Sequence, residues 1–271
     1  MQGCLSKMKT ELNAPVSYQM PVGESLLPLN ELLGKTLRLT YTGQIFCTYC
    51  NRKTNKSFNQ GYCYPCFKKL AQCDSCIIKP EQCHYDLGTC REPEWAQSHC
   101  FQPHFVYLAN SSGIKVGITR GNQVPTRWMD QGAIQAIPIA KVASRYQSGL
   151  LEIAIGKHVA DKTNWRTMLK GAVDVLDMEE ERNKISKLCA EDIAELKAQF
   201  GDTAIEWLES EAPVNIEYPV MEYPTKVSSH NFDKTPEVGG VLMGIKGQYL
   251  MFDTGVINIR KFTAYEVAVE I

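Results

Sequence analysis

Two pairs of cysteines near the start of the chain have the spacing of a metal site. Cys47 and Cys50 are separated by two residues, as are Cys63 and Cys66, and twelve residues lie between the pairs. Four thiolates on two facing knuckles satisfy the tetrahedral coordination that structural zinc requires. Four free thiols in a core are the alternative, but residues 51–60 are too polar to bury them. The spacing therefore predicts a zinc ribbon-like segment.

Four further cysteines follow at short intervals and predict a second metal site. They are Cys73, Cys76, Cys83 and Cys90. Other potential ligands are close in sequence, namely His84, His99, Cys100 and His104. A second zinc ion is expected, and an iron–sulfur cluster is the alternative, because four thiolates suit either centre. Closed four-ligand sites leave no open position for a substrate, so both metals are predicted to be structural.

Glu152 is the carboxylate that could do chemistry in the middle of the chain. Its neighbours between residues 150 and 159 place apolar side chains almost all round the predicted helix. An ionised carboxylate in such surroundings is costly unless a cation, hydrogen bonds or a metal compensates it. Glu152 is therefore interpreted either as the ion-pair partner of Arg127 or Arg145, or as the ligand of a divalent ion such as Mg²⁺ or Mn²⁺.

A small α/β unit is predicted to position Glu152. Two β-rich runs on either side of a four-residue loop indicate a hairpin, and a later Pro and Gly mark the start and end of a short helix. In order, the predicted elements are strands over residues 105–109 and 114–119, a helix between Pro125 and Gly132, a strand over 134–143 and a helix over 148–161. The short helix carries Arg127, and the last helix carries Glu152.

The order of these residues resembles the GIY-YIG endonucleases. In that family a Tyr on the first strand and an Arg on the following helix act at the scissile phosphate, and a Glu on a later helix holds a divalent metal ion. The resemblance implies that the catalytic residues are Tyr107, Arg127 and Glu152. Residues 105–107 and 115–117 then stand in place of the two motifs, and the resemblance covers about a quarter of the chain.

The sequence departs from the GIY-YIG pattern at several positions. Lys115 stands where the second Tyr is usual, Phe105 replaces the first Gly, and the spacing between the two motifs is short. A phosphate-binding charge thus stands where the family has a phenol. The resemblance implies the fold more strongly than it implies cleavage, and a degenerate module that binds without cutting is expected.

Most of the chain also resembles an uncharacterised bacterial family that is labelled only as a domain of unknown function. The cysteines come first, and the runs at residues 105–112 and 115–120 follow. This resemblance brings no activity with it.

Charge is distributed unevenly along the chain, although the net charge is only −1. Residues 105–170 contain nine Lys and Arg against three acids, whereas residues 174–237 contain sixteen acids against six bases. A positive module suits a polyanionic ligand, so RNA or DNA is the expected partner. The expected phosphate contacts are Lys115, Arg120, Lys157 and Arg166. The alternative is that these charges are scattered or paired and form no patch.

Composition and length are those of a globular protein with more than one domain. The hydrophobic content is 44%, the charged content is 22%, and 271 residues suffice for two or three small domains. No apolar run is long enough to suggest a membrane span, and residues 1–15 lack the apolar core of a signal peptide. A cytoplasmic location is therefore expected, where clustered cysteines indicate metal binding and not disulfides.

The predicted fold class is α+β with five segments. These are an N-terminal segment and strand (1–46), a zinc-binding cysteine-rich segment (47–104), the GIY-YIG-like α/β module (105–172), a helical segment (173–212) and a small C-terminal β-barrel or sandwich (213–271). One amphipathic helix is expected over residues 177–200. The half-buried strand over residues 35–46 could join the C-terminal sheet.

Three functions are compatible with these features. The first is a zinc-containing protein that binds RNA or DNA through a basic surface. The second is a divalent-metal-dependent nuclease, in which Tyr107 takes a proton from the attacking water, Arg127 stabilises the phosphate charge and Glu152 binds the metal. The third is a metal-cluster or redox protein that works through Cys73–Cys90.

Overall fold

A computed structural model of the protein describes residues 1–159 and 163–271. Its strands are β1 (Gln2–Cys4), β2 (Lys9–Glu11), β3 (Ser17–Val22), β4 (Ser25–Pro28), β5 (Thr36–Phe46), β6 (Lys53–Thr54), β7 (His104–Asn110), β8 (Ile114–Arg120), β9 (Gln135–Val142), β10 (Ile205–Trp207), β11 (Val214–Asn215), β12 (Glu237–Lys246), β13 (Tyr249–Phe252), β14 (Gly255–Asn258) and β15 (Tyr265–Glu270). Its helices are α1 (Tyr64–Lys69), α2 (Pro93–His99), α3 (Thr126–Asp130), α4 (Arg145–Gly156), α5 (Trp165–Leu169), α6 (Met178–Leu188) and α7 (Ala190–Phe200). Short 3-10 turns connect several of these elements.

The largest sheet combines strands from both ends of the chain. Its antiparallel order is β1-β15-β5-β12-β13-β14, and β6 pairs with β5. The expectation that the strand over residues 35–46 joins the C-terminal sheet is confirmed, because β5 lies between β12 and β15. The C-terminal segment therefore does not form this sheet alone. Residues 214–215 pair instead with β9, and Ser229 forms an isolated bridge with Val256 of β14.

A three-stranded sheet packs beside the largest one. It has the order β2-β3-β4, in a part of the chain where Pro and Gly obscure any strand pattern in the sequence. Met20 of this sheet, Leu39 of β5 and Ile257 of β14 are all fully buried in one core cluster. Shared burial of apolar side chains thus holds the N-terminal strands against the C-terminal ones.

A further antiparallel sheet forms the centre of the predicted α/β module. Its order is β10-β9-β7-β8, and the predicted hairpin of β7 and β8 is confirmed with Tyr107 opposite Gly117. Alternation along β7 divides its side chains between two cores. Val106 and Leu108 pack in one core cluster with Leu151 of α4, whereas Tyr107 belongs to the core of the largest sheet. The central strand is therefore covered on both faces.

Helix α4 begins three residues before its predicted start. Ser144 caps it, because its hydroxyl accepts from the backbone N–H of Gln147 while the Gln147 side chain returns to the Ser144 N–H. The sequence pattern predicts this helix to be apolar and buried almost all round. The structure differs, since Ile153 is 48% exposed. The end of the predicted helix, at residues 160–162, lies outside the described residues.

The single helix predicted over residues 177–200 is two helices. The helix is interrupted at Cys189, whose φ of −101° and ψ of 11° separate α6 from α7. Cys189 is fully buried in the same core cluster as Leu151 and Ile185. The apolar period continued across the break, so the sequence pattern did not reveal it.

The cysteine-rich segment packs directly against the module. The 3-10 turn Pro80–Gln82 lies on α4 at Gly149, where an added Cβ would come 2.6 Å from the Pro80 Cβ and 3.0 Å from the Glu81 N. Mixed α+β architecture with several antiparallel sheets is confirmed. The division of the chain at residues 46, 104, 172 and 212 stays a prediction. Within the described residues, no helix has the length and apolar character that a membrane span requires.

Candidate functional site

The first four cysteines converge as their spacing predicts. The sulfurs of Cys47, Cys50, Cys63 and Cys66 all lie within 4.8 Å of one another, and Cys50 Sγ is 3.7 Å from Cys63 Sγ. Tetrahedral coordination with zinc–sulfur bonds of about 2.3 Å places the sulfurs about 3.8 Å apart. The tetrad therefore has the ligand type and the spacing for a metal ion such as zinc.

Local structure explains how the tetrad forms. Cys47 and Cys50 lie in the turn between β5 and β6, whereas Cys63 caps α1 and Cys66 lies in its first turns. The second pair thus comes from the start of a helix, which Pro65 favours, and not from the second knuckle that was expected.

Backbone amides around the first pair favour the thiolate that a metal requires. Burial on its own would raise the pKa of Cys47, but hydrogen bonds from backbone N–H groups, with those of Cys50, Cys63 and Tyr49 as the main donors, lower this pKa to about 6. N–H donors stabilise the charged form of the sulfur. The backbone thus stabilises the Cys47 thiolate, whereas burial and the neighbouring thiols raise the pKa of Cys66.

A basic pocket of about 690 Å³ lies between the tetrad segment and the module. The described cations that line it are Lys7, Lys115, Arg120, Arg127, Arg145 and Arg260. Glu152 is the one acid among the described residues of its wall. All three residues predicted to be catalytic line this pocket, namely Tyr107, Arg127 and Glu152, as do two of the four predicted phosphate contacts, Lys115 and Arg120.

The pocket floor follows the edge strand β8. Lys115, Gly117 and Thr119 alternate onto one face of β8, which is the same sheet face that carries Tyr107 of β7. Gly117 is required there, because an added Cβ would lie 2.6 Å from the Tyr107 hydroxyl oxygen. Burial raises the pKa of Tyr107, and the nearby Arg127 guanidinium opposes that rise. The phenol is therefore neutral at ordinary pH and available as a hydrogen-bond donor to a ligand.

Two of the lining arginines are held by neighbours from the cysteine-rich segment. Arg145 donates from Nη2 to the Ile77 carbonyl, and Arg260 donates from Nε to Gln60 Oε1 over 2.7 Å. Burial lowers the pKa of both guanidinium groups, and both remain charged. Fixed, partly desolvated guanidinium groups are suited to binding an anion.

The other two predicted phosphate contacts lie elsewhere. Lys157 follows α4 and pairs with Asp192 of α7, with 2.5 Å between Nζ and Oδ1. The Arg166 guanidinium lies 4.3 Å from the centre of the Trp165 ring, which stacks on Tyr249. Neither residue lines the basic pocket.

Two lining cations were not expected from the sequence. Lys7 comes from the N-terminal segment, where its Nζ lies 2.5 Å from Asp130 Oδ2, and Arg260 comes from the turn before β15. Nothing in their local sequence marks them, because they reach the pocket through the packing of the largest sheet against the module. Arg145 had been considered only as a partner for Glu152.

The second group of cysteines is arranged differently from its predicted set. Cys76, Cys83, Cys90 and Cys100 line one small cavity, which Cys73 does not reach. Cys73 is buried beside Asn59 and Arg91, on the side of the first tetrad. The histidines considered as ligands differ too: His84 lines this cavity, whereas His99 stacks on Trp95 and His104 is fully buried in β7.

Comparison with known proteins places the chain in a family. Residues 34–267 match the family described as protein of unknown function DUF2797, and the chain belongs to that family. No curated protein and no solved structure is significantly similar to the chain. The resemblance to an uncharacterised family is thus confirmed, and the GIY-YIG resemblance stays a prediction.

Proposed function

We propose that this protein binds nucleic acid in the basic pocket and that the cysteine tetrad holds a structural zinc ion beside it. The observation that carries the proposal is the composition of the pocket wall, with six described cations and one described acid. Phosphodiester backbones are the polyanions that arginine and lysine clusters of this kind recognise.

The pocket geometry favours contact with the backbone of a strand. Arg120, Arg127 and Arg145 stand on three different elements, β8, α3 and α4, and therefore approach a ligand from different sides. Guanidinium groups can bind phosphate oxygens through two parallel hydrogen bonds. Amide side chains from the tetrad segment, such as Asn59 and Gln60, add donors and acceptors for sugars or bases.

Binding of labelled RNA and DNA, single-stranded and duplex, at several salt concentrations tests this proposal. Affinity should fall with salt, because each neutralised phosphate releases counterions and contributes about 0.7–0.9 to the slope of log affinity against log salt. Arg120→Ala should weaken binding similarly for all sequences and reduce that slope by about 1. Lys157→Ala is the matched control outside the pocket and should leave affinity and slope unchanged. Equal effects of the two variants, or no binding at low salt, would contradict the proposal.

Phosphodiester cleavage is a second candidate function. It is favoured because one pocket is lined by Tyr107, Arg127 and Glu152. Glu152 would hold Mg²⁺ or Mn²⁺, which would polarise a phosphate oxygen and activate water. Arg127 would stabilise negative charge on the phosphate, and the neutral Tyr107 hydroxyl would orient the attacking water. The surrounding cations disfavour a lone divalent ion, so the metal is expected to bind together with substrate phosphates.

The Glu152→Gln variant distinguishes cleavage of nucleic acid from binding alone. It keeps the side-chain shape and removes the charge, so a nuclease should lose Mg²⁺- or Mn²⁺-dependent cleavage while its affinity for nucleic acid changes little. Arg127→Ala should remove about 2.7–4 kcal/mol of transition-state stabilisation and slow cleavage accordingly. If the two residues instead serve mainly as an ion pair, either substitution should cost about 3–5 kcal/mol of stability. A cleavage assay beside thermal melts distinguishes these results.

A further inference from the structure

The cavity formed by the second group of cysteines is a site of its own. Cys76 lies in the 3-10 turn Ser75–Ile77, Cys83 follows the turn Pro80–Gln82, Cys90 precedes α2, and Cys100 ends α2. Four separate pieces of backbone thus bring one thiol each to the same small space. Apolar and aromatic side chains complete the wall, among them Ile77, Tyr85, Trp95, Ala96 and Phe101.

The thiols are close enough to influence one another. Burial first, and then the neighbouring Asp74, Cys83, Cys100 and Cys90, raise the pKa of Cys76 to about 11. The pKa of Cys100 is also raised, chiefly by burial, with Cys83 and Cys90 contributing. Free thiols in an apolar enclosure make few favourable polar contacts. A metal centre would stabilise all four as thiolates.

We propose that Cys76, Cys83, Cys90 and Cys100 hold an iron–sulfur cluster. Thiolates are the ligands of such clusters, and a cube of irons and sulfides is wider than a single zinc ion. The described ligand groups that come within 4.8 Å of one another include the first tetrad but not these four sulfurs together. At least two of these four sulfurs are therefore more than 4.8 Å apart, which suits a cluster better than one zinc ion, whereas the first tetrad has the spacing for zinc.

The competing ligand group at this cavity is already engaged by protein partners. Asp74, Cys76 and His84 have ligand atoms within 4.8 Å of one another. Asp74 Oδ2, however, lies 2.8 Å from Arg91 Nε, and Asp74 Oδ1 accepts from the Ser75 N–H over 2.6 Å. His84 Nδ1 is 2.8 Å from the hydroxyl of a neighbouring threonine, and His84 Nε2 is 3.4 Å from Asp74 Oδ2. The carboxylate and the imidazole thus stabilise the loop around the cavity, which leaves the cysteines as the metal ligands.

Arg145 joins the cluster site to the basic pocket. Its backbone N–H donates to the Cys100 carbonyl over 2.7 Å, and its guanidinium donates to the Ile77 carbonyl. Ile77 lines both the cavity and the pocket. A cluster held by four thiolates carries net negative charge, which the buried guanidinium would offset. The cluster therefore has a structural role as the rigid support of one pocket wall, and this inference does not depend on what the pocket binds.

Metal and sulfide analysis of the full chain, produced with added iron and purified without oxygen, tests the inference. About four irons and four acid-labile sulfides per chain are expected, with the broad visible absorption of a cluster, together with about one zinc. Two zinc ions per chain, without iron or sulfide, would overturn the proposal. This measurement needs no variant, so it stands even where a substitution prevents folding.

Three serine variants identify the ligands. Cys83→Ser and Cys100→Ser should lose most of the iron and the visible absorption while zinc stays at its original level. Cys73→Ser is the matched control, because that thiol is buried in the same segment but does not reach the cavity. Loss of iron from Cys73→Ser with full retention in Cys100→Ser would assign the cluster to another set of cysteines and refute the site proposed here.

Discussion

The first cysteine tetrad and the basic pocket are neighbours that are built in opposite ways. The tetrad comes from one short stretch, Cys47 to Cys66, whereas the pocket wall includes Lys7 from one end of the chain and Arg260 from the other. Asn59, Gln60 and Tyr62 of the tetrad segment line the pocket as well. A metal ion can hold the tetrad locally, but the pocket exists only when the N-terminal segment, the largest sheet and the module are packed together. The comparison predicts that the two respond differently to substitution.

The largest effect is expected from loss of a tetrad ligand. Cys63→Ser should abolish zinc binding and local order in the tetrad segment, because structural zinc contributes on the order of 10–16 kcal/mol in small zinc-dependent folds. The pocket should then lose one wall and its affinity for nucleic acid. Zinc analysis with hydrogen exchange measures both, and Cys4→Ser in strand β1 is the control. A metal-free protein that melts like the unmodified one would show that packing alone holds the segment.

The second effect is on the pH dependence of stability, through a histidine in the sheet under the pocket. His104 is fully buried at the start of β7, and burial lowers its pKa to about 4. The unfolded chain binds a proton at His104 more readily than the folded chain does. The contribution of neutral His104 to the free energy of unfolding is therefore complete above about pH 6.5, and it falls by on the order of 3 kcal/mol as the pH drops towards 4. Denaturant melts across this window should show the slope, and His104→Gln should flatten it. Metal content must be followed in parallel, since acid also displaces zinc.

A smaller effect is expected at the pocket floor. Gly117→Ala places a Cβ against the Tyr107 hydroxyl and should cost about 1–3 kcal/mol of stability, as overpacking does. It should also weaken nucleic-acid binding and leave zinc content unchanged. Gly156→Ala is the matched control, since an added Cβ there has no described atom within 4 Å. Equal melting temperatures for the two variants would mean that the floor adjusts freely around Tyr107.

The smallest effect is expected on the surface away from both sites. Lys157→Ala removes the ion pair between α4 and α7, in which the lysine side chain is 56% exposed. Exposed pairs of this kind contribute little, and salt screens them. The melting temperature should shift slightly at low salt and not at all at high salt. A large shift would show that this pair fixes the position of α4 and, through it, the pocket.

Local patterns in the sequence predicted the elements well and their assembly poorly. The β7–β8 hairpin, the strand β9 and the helix that carries Arg127 were all read from turn formers and β-rich runs. The break at Cys189 was missed, because apolar period alone does not show where a helix ends. The strands of residues 9–28 were missed as well, since their burial comes from contact with the distant largest sheet.

The sequence by itself determined the tetrad, the class of fold and the order Tyr107, Arg127, Glu152, because ligand spacing and backbone period act over a few residues. Tertiary structure alone decided which cations share a pocket. It brought in Lys7 and Arg260, left Lys157 and Arg166 outside, and placed Cys100 beside Cys76 where Cys73 had been expected. The physical reason is that such meetings depend on how apolar faces of separate layers pack, and that packing is the sum of many weak contacts between residues far apart in the chain.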